Sequence, residues 1–323
     1  MAETFPLVSV VTPAYNEEEH LGQCIESVLA QSYANWELIV VDNCSTDRTR
    51  EIAQGYAARD RRIRVFANET FVSALANHNI ALSLISPESR YCKVLGADDF
   101  IYPECLAKMT AIGERHPSVG VIGAYRVAEQ RVLIEGPPYP VEAITGRDIC
   151  RTYLLGGPYP FASPSSLLYR SDAVRARPTF FVEPYMHADA RVCLDILRDS
   201  DFGFVHEILS FVRVREESLH GHTRRNSLYT YARMENVKSF GGYFLSESEL
   251  RETLRKLLAT YYEMLGSRYY DEKDPEFWNI HKARLAELGF PLNRLRLAVY
   301  GWTGAVESLA RRARRKIYGW PMP

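Results

Sequence analysis

Two neighbouring carboxylates, Asp98 and Asp99, follow the apolar run YCKVL in YCKVLGADDFIYP. Like charges side by side at the end of a buried strand are costly unless a cation compensates them. A hard divalent ion such as Mg²⁺ or Mn²⁺ takes carboxylate and phosphate oxygens together, so an ion here would bridge the chain to a diphosphate. The same pair also reads as a solvated loop in which one carboxylate caps the following helix. Asp42 ends a second apolar run in IVVDNCSTD, where a strand-end carboxylate can accept hydrogen bonds from a base or ribose. Asn43 and Ser45-Thr46-Asp47 beside it equally build a turn and a helix start. Arg215, Arg224 and Arg225 offer guanidinium forks that fit phosphate oxygens, or are ordinary surface charges.

These groups need a scaffold that brings distant strand ends together. The β-branched run Val8 to Val11 is too apolar to be half exposed, which suits a buried parallel strand. Leu21, Ile25, Val28 and Leu29 then recur at helical spacing and WELIVVD supplies a second strand, a βαβ opening. Ser45 and Asp47 are helix-starting residues ahead of TREIAQGYAARD, IRVFAN is a third strand, and a helix through SALANHNIALSLI leads into YCKVL. Pro103 is expected in the first turn of the next helix. The polar clusters fall beyond strand ends, where open parallel sheets bind ligands. From about Ala124 to Ser166 proline- and glycine-marked loops suggest an insertion. DARVCLDILRD then looks helical, FGFVHEILSFVRV looks like strands, REESLHGHTRRN reads as a loop, and the pattern is helical from about Tyr229.

The 323 residues, 46% apolar and 24% charged, suffice for one large α/β domain and a smaller appendage. A formal net charge of -1 argues against a nucleic-acid binder, which needs a dominant basic surface. Cys24, Cys44, Cys92, Cys105, Cys150 and Cys193 show no C-x-x-C spacing and fall mostly in apolar segments, so they are expected as reduced, structural thiols. No run approaches the roughly 20 apolar residues of a membrane span, and no basic-then-apolar leader precedes the first strand, so a cytoplasmic location is expected.

Taken in order, SVVTPAYNEEEHL, VVDNCSTDRT, LGADDFIYP and HADARVCLDIL resemble the motifs of the family 2 glycosyltransferases, over roughly residues 5 to 215. The resemblance implies the α/β GT-A fold, a Rossmann-like, mostly parallel central sheet flanked by helices, here with a helical C-terminal extension. The catalytic domain would span 1-225, with a donor half at about 1-123 and an acceptor half at about 124-225, and a helical region would fill 226-323. Also implied are a nucleotide-sugar donor (UDP ahead of dTDP and GDP), Mn²⁺ or Mg²⁺, and an inverting transfer to a hydroxyl of a glycan or lipid-linked saccharide.

Carried over residue by residue, the resemblance has Pro13, Ala14, Tyr15, Asn16 and Glu17 hold the nucleotide, Tyr15 near the base and Glu17 near the ribose. Asp42 would bind the base, Asn77 and Arg215 would join the donor site, and Asp98 would lie near the donor ribose or sugar. Asp99 would contact the metal, with His220 or His222 completing its shell, and Asp189 would be the general base. Two positions depart from the family pattern: Gly96 stands where many relatives carry Asp, and Ala188 replaces the Glu that usually precedes the base. Those departures motivate a rival, a nucleotide-sugar-binding protein without catalysis.

Near the C-terminus Leu295, Val299, Trp302, Val306, Leu309, Ala313 and Ile317 recur every three or four residues beside Arg311, Arg312, Arg314, Arg315 and Lys316, with Trp320 following. A basic amphipathic stretch of this kind suits peripheral contact with an anionic membrane, as an anchor or a membrane-surface scaffold, or docking on the catalytic domain.

Overall fold

The computed structural model describes residues 5–128, 130–133, 135–161, 163–183, 187–214, 228–269 and 272–302. The chain divides into two compact units, Met1–Arg215 and Glu216–Pro323, so the break comes ahead of the expected boundary at 225.

The first unit begins with β1 (Val8–Ala14), α1 (Leu21–Leu29), β2 (Trp36–Asp42), α2 (Thr49–Ala57), β3 (Ile63–Ala67), α3 (Ala74–Ser83) and β4 (Tyr91–Val94). The four strands are parallel in the order β3-β2-β1-β4. Every residue of β1, β2 and β4 is buried, as continuous apolar runs in a covered parallel sheet must be. The order reverses between β1 and β4, which makes their C-terminal ends the crevice where such sheets bind ligands. Pro13 sits in β1 without cost to the ladder. Val11 accepts from Leu95 on the β4 side, Pro13 faces that side too, and β4 has ended by then.

The unit continues with β5 (Phe100–Ile101), α4 (Cys105–Arg115), β6 (Val119–Ala128), β7 (Arg131–Leu133), β8 (Ala143–Ile144), α5 (Gly146–Leu154), β9 (Leu167–Arg170), α6 (Ser171–Arg175), α7 (Ala188–Ile196) and β10 (Asp201–Val212). The sheet runs on as β4-β9-β6-β10-β5, with β7 on β6 and β8 on β10. β6 and β10 are parallel to each other, whereas β9 and β5 run against their neighbours, so the sheet is mostly parallel.

Three expectations are corrected here. The stretch 124–166 is not a loose insertion, because it contains the end of β6, a strand with both edges paired, and α5, whose Ile149, Cys150, Tyr153 and Leu154 are buried. A divide at 123/124 would cut β6 itself. Pro103 lies just ahead of α4 rather than in its first turn. All six cysteines are free thiols and all but Cys44 are buried, as expected.

The second unit contains α8 (Tyr229–Phe244), α9 (Glu247–Arg268), α10 (Pro275–Glu287) and a helix at 294–302. Ser246 and Glu249 form a reciprocal capping box that starts α9 directly after α8. Gly266 allows the 294–302 helix to cross α9 closely, since a Cβ there would meet the Tyr300 backbone at 2.6 Å. Among the described residues, no helix is long and apolar enough to cross a membrane.

Candidate active site

The loops after β1 and β2 are stitched into one rim. Asn16 adopts a left-handed conformation (φ 51°), its N–H donates to Ser45 Oγ at 3.0 Å, and its Oδ1 accepts from Thr46 N at 2.8 Å. Glu17 N donates to Thr49 Oγ1 and Glu18 N to Asp47 Oδ2. Asp42 lies below this rim, 2% exposed, with Oδ2 accepting from Ser45 N at 3.3 Å. Its Oδ1 is buried without a hydrogen-bond partner among the described residues, an acceptor that awaits a donor. Above it Tyr15 and Phe71, both exposed, meet edge to face at 4.9 Å. The Phe71 loop is held by amides: Asn43 exchanges hydrogen bonds with the Val72 backbone, and Asn68 Nδ2 donates to both Asn43 Oδ1 and Asn77 Oδ1 at 2.9 Å. Asn77 is itself buried and donates to Val41 O, so it supports the floor of this cradle.

The carboxylate pair follows β4 on the other side of the crevice. Asp99 is 6% exposed; its Oδ1 accepts from Arg213 N at 2.9 Å and its Oδ2 from Ser165 Oγ. Ser165 Oγ in turn accepts from Gly96 N at 3.0 Å. Burial, and next the charge of half-buried Asp98, push the Asp99 carboxyl up to about 7. The departure at Gly96 has a packing reason, because a Cβ there would stand 2.9 Å from Asp99 Oδ2 and 3.1 Å from Asp98 Oδ1. The two carboxylates fold back over a residue that has no side chain. Oxygen donors whose charge is this costly to bury suit a hard cation that also takes waters and phosphate oxygens. No cluster of three candidate metal-binding side chains occurs among the described residues.

Asp189 stands in the first turn of α7. Its Oδ1 accepts from Ala190 N at 2.8 Å and Tyr159 Oη at 3.4 Å, and its Oδ2 accepts from Ser163 N at 3.3 Å. Tyr159 stacks between Tyr153 and His187. Ser163 has φ 65°, a left-handed conformation that Ser rarely adopts, and begins the single-turn helix Pro164–Ser166. One turn thus touches both acidic stations, Asp189 through Ser163 N and Asp99 through Ser165 Oγ. Two residues of chain and two hydrogen bonds limit the separation of these carboxylates to about 15 Å. Ala188 is buried, so a Glu at that position would enter the interior.

Pro13, Ala14, Tyr15, Glu17, Asp42 and Asn77 therefore gather at one side of the crevice and Asp98, Asp99 and Asp189 at the other. Arg215, His220, His222, Arg224 and Arg225 lie outside the described residues. Phe71, Tyr159, Ser165 and Arg213 join the site without having been singled out in the sequence; none lies in a recognisable motif.

An open, mostly parallel sheet with acidic groups at its switch point is the α/β arrangement expected of the GT-A fold. The profile of Glycosyl transferase family 2 matches residues 9–177, over half of the chain. The "UDP-Glc:alpha-D-GlcNAc-diphosphoundecaprenol beta-1,3-glucosyltransferase WfgD" of Escherichia coli is 41% identical over 201 residues, which cover 62% of this chain and 73% of that one. The "Putative teichuronic acid biosynthesis glycosyltransferase TuaG" of Bacillus subtilis (strain 168) is 34% identical over 152 residues, 47% of this chain and 60% of that one. The fold is shared with S. aureus TarS 1-349, solved with UDP-GlcNAc, at a TM-score of 0.65 and 19% identity over 95% of this chain and 92% of that one. It is shared also with a Pyrobaculum calidifontis mannosyltransferase solved with GDP-Man and Mn²⁺, at a TM-score of 0.58 and 15% identity over 95% and 88%. The chain belongs to glycosyl transferase family 2 and is a glycosyltransferase.

Asp99 yields a prediction about pH. Its folded pKa, about 7, lies above the ordinary carboxylate value, so the stability this group contributes is full below about pH 4 and lost as pH rises through 7. In EDTA, the melting temperature of the wild type measured against Asp99→Asn is expected to fall between these limits and level off above them. Parallel profiles would refute it.

Proposed function

We propose that the chain transfers a sugar, with inversion, from a nucleoside diphosphate donor to a hydroxyl of a glycan or lipid-linked saccharide. The observation that carries this reading is the turn at Ser163–Ser166, which joins the pair beside the crevice to a separate carboxylate, Asp189. On this reading the base stacks at Tyr15 and Phe71 and donates an N–H to Asp42 Oδ1. A carboxylate acceptor favours bases with a ring N–H on that edge, uracil, thymine and guanine, over cytosine, whose ring nitrogen is itself an acceptor. UDP is placed first because the WfgD name specifies UDP-Glc and TarS was solved with UDP-GlcNAc. The WfgD name also motivates the lipid-linked acceptor.

Asp98 and Asp99 would hold Mn²⁺ or Mg²⁺, which when bound neutralises charge on the leaving diphosphate. Asp189 takes the proton of the acceptor hydroxyl as that oxygen attacks the anomeric carbon opposite the diphosphate. Tyr159 and the Ser163 N–H keep the Asp189 carboxylate in place while it does so. The shared turn couples the positions of base and leaving group, so that neither shifts alone.

A second reading adds peripheral membrane contact. Leu295, Val299 and Trp302 are exposed on the 294–302 helix, and the sequence after them is rich in Arg and Lys. The full chain is expected to float with anionic vesicles and not with zwitterionic ones, and Leu295→Glu with Trp302→Glu to remain at the bottom. Equal flotation of both proteins would remove this reading.

Calorimetric titration with UDP, dTDP and GDP, each in Mn²⁺ and in EDTA, tests the donor site. One nucleotide is expected to bind more tightly with Mn²⁺, with that gain lost in Asp99→Ala; binding of none by folded protein would refute the proposal. For the base, Asp189→Asn is expected to bind nucleotide within about twofold of wild type and to lose about 100-fold or more of its transfer to lipid-linked saccharides. Wild-type transfer by this variant would exclude Asp189 as the base.

A further inference from the structure

Lys93 has no part in the reaction described above, yet its side chain is wholly buried in β4, a strand paired on both edges. An amine so deep is tolerated only with its donors engaged. Its Nζ donates to Ser165 O at 2.9 Å and Leu167 O at 3.2 Å, with Met109 Sδ 4.0 Å away. Those carbonyls belong to the place where β9 parts from β4. The antiparallel ladder pairs Tyr91 with Arg170 and Cys92 with Tyr169, while Leu168 and Leu167 pair with Ile122 and Gly123 of β6. Lys93 comes directly after Cys92, the last residue of β4 in the ladder with β9. Its side chain supplies two bonds to the segment at which the ladder has stopped.

That segment carries one donor for each acidic station: Ser163 N for Asp189 and Ser165 Oγ for Asp99. The geometry points to Lys93 as a positioning residue that pins this turn where β9 parts from β4 and so fixes the spacing between the donor-side carboxylates and the base. It touches neither donor nor acceptor. The proposal rests on the glycosyltransferase reading of those carboxylates. Displacements near 1 Å at such groups cost on the order of 100-fold in rate, so a single buried pin has leverage over the whole site.

Lys93→Met keeps an unbranched stem and removes both donors; Ser165→Ala removes only the side-chain link to Asp99 and Gly96. Both are titrated, in EDTA and in Mn²⁺, with whichever of UDP, dTDP and GDP binds the wild type, and amide exchange across 163–167 is followed in metal-free protein. Affinity in EDTA is expected within about twofold of wild type for both variants, and the Mn²⁺-dependent gain reduced about tenfold or more. Exchange across 163–167 in Lys93→Met is expected to quicken by about tenfold or more. A folded Lys93→Met with the wild-type Mn²⁺ gain overturns the proposal whatever its exchange. So does an equal loss in EDTA and in Mn²⁺, which marks general damage. If Lys93→Met does not fold, Ser165→Ala decides, and an unchanged Mn²⁺ gain overturns the link through the turn. Wild-type protein that binds none of the nucleotides refutes the glycosyltransferase reading itself, which separates the two failures.

Discussion

A carboxylate held almost out of water beside a second carboxylate is costly to keep in a fold, and much of the local architecture answers to it. Asp99 receives one hydrogen bond from the end of β10 and one from the turn before β9, segments far from it in sequence. Gly96 withholds the side chain that would collide with it. Three strand ends are thereby tied to one charged group, and the crevice they enclose is the switch point of the parallel order. A charge that the fold only partly compensates is of the kind that a hard cation suits.

How much of this was legible in the sequence depends on how local each signal is. β1 and β2 were readable because a continuous apolar run must be covered on both faces, and Asp42, Asp98 and Asp99 because polar residues directly after such runs must lie at a sheet edge. α5 was missed, although Ile149, Cys150, Tyr153 and Leu154 recur at helical spacing, because the prolines and glycines on either side dominated the pattern. Tertiary pairing, rather than local propensity, decides that β6 runs on past residue 123, where β10 and then β7 pair with it.

The supporting residues were hidden for a different reason. Phe71, Tyr159, Ser165 and Arg213 acquire their roles only through contacts that close long loops, such as Ser165 to Asp99 and Arg213 to the same carboxylate. Lys93 was visible as a lysine inside an apolar run, but its partners are backbone carbonyls, which carry no residue-type signal. The two departures from the family pattern become intelligible once neighbours are known: the space above Gly96 is filled by the aspartates, and Ala188 points inward.

The floor of the cradle beside Tyr15 and Phe71 is built from Asn43, Asn68 and Asn77 bonded to one another and to the backbone. Side-chain amides neither gain nor lose a proton in the range where carboxyls and imidazoles do. The two ends of the crevice therefore answer differently to acidity, the floor beneath Tyr15 and Phe71 keeping its shape through an uncharged lattice while the acidic end changes its charge. That amide lattice is insulated from the protonation chemistry next door, as a lock whose wards are cut from a different metal than its bolt.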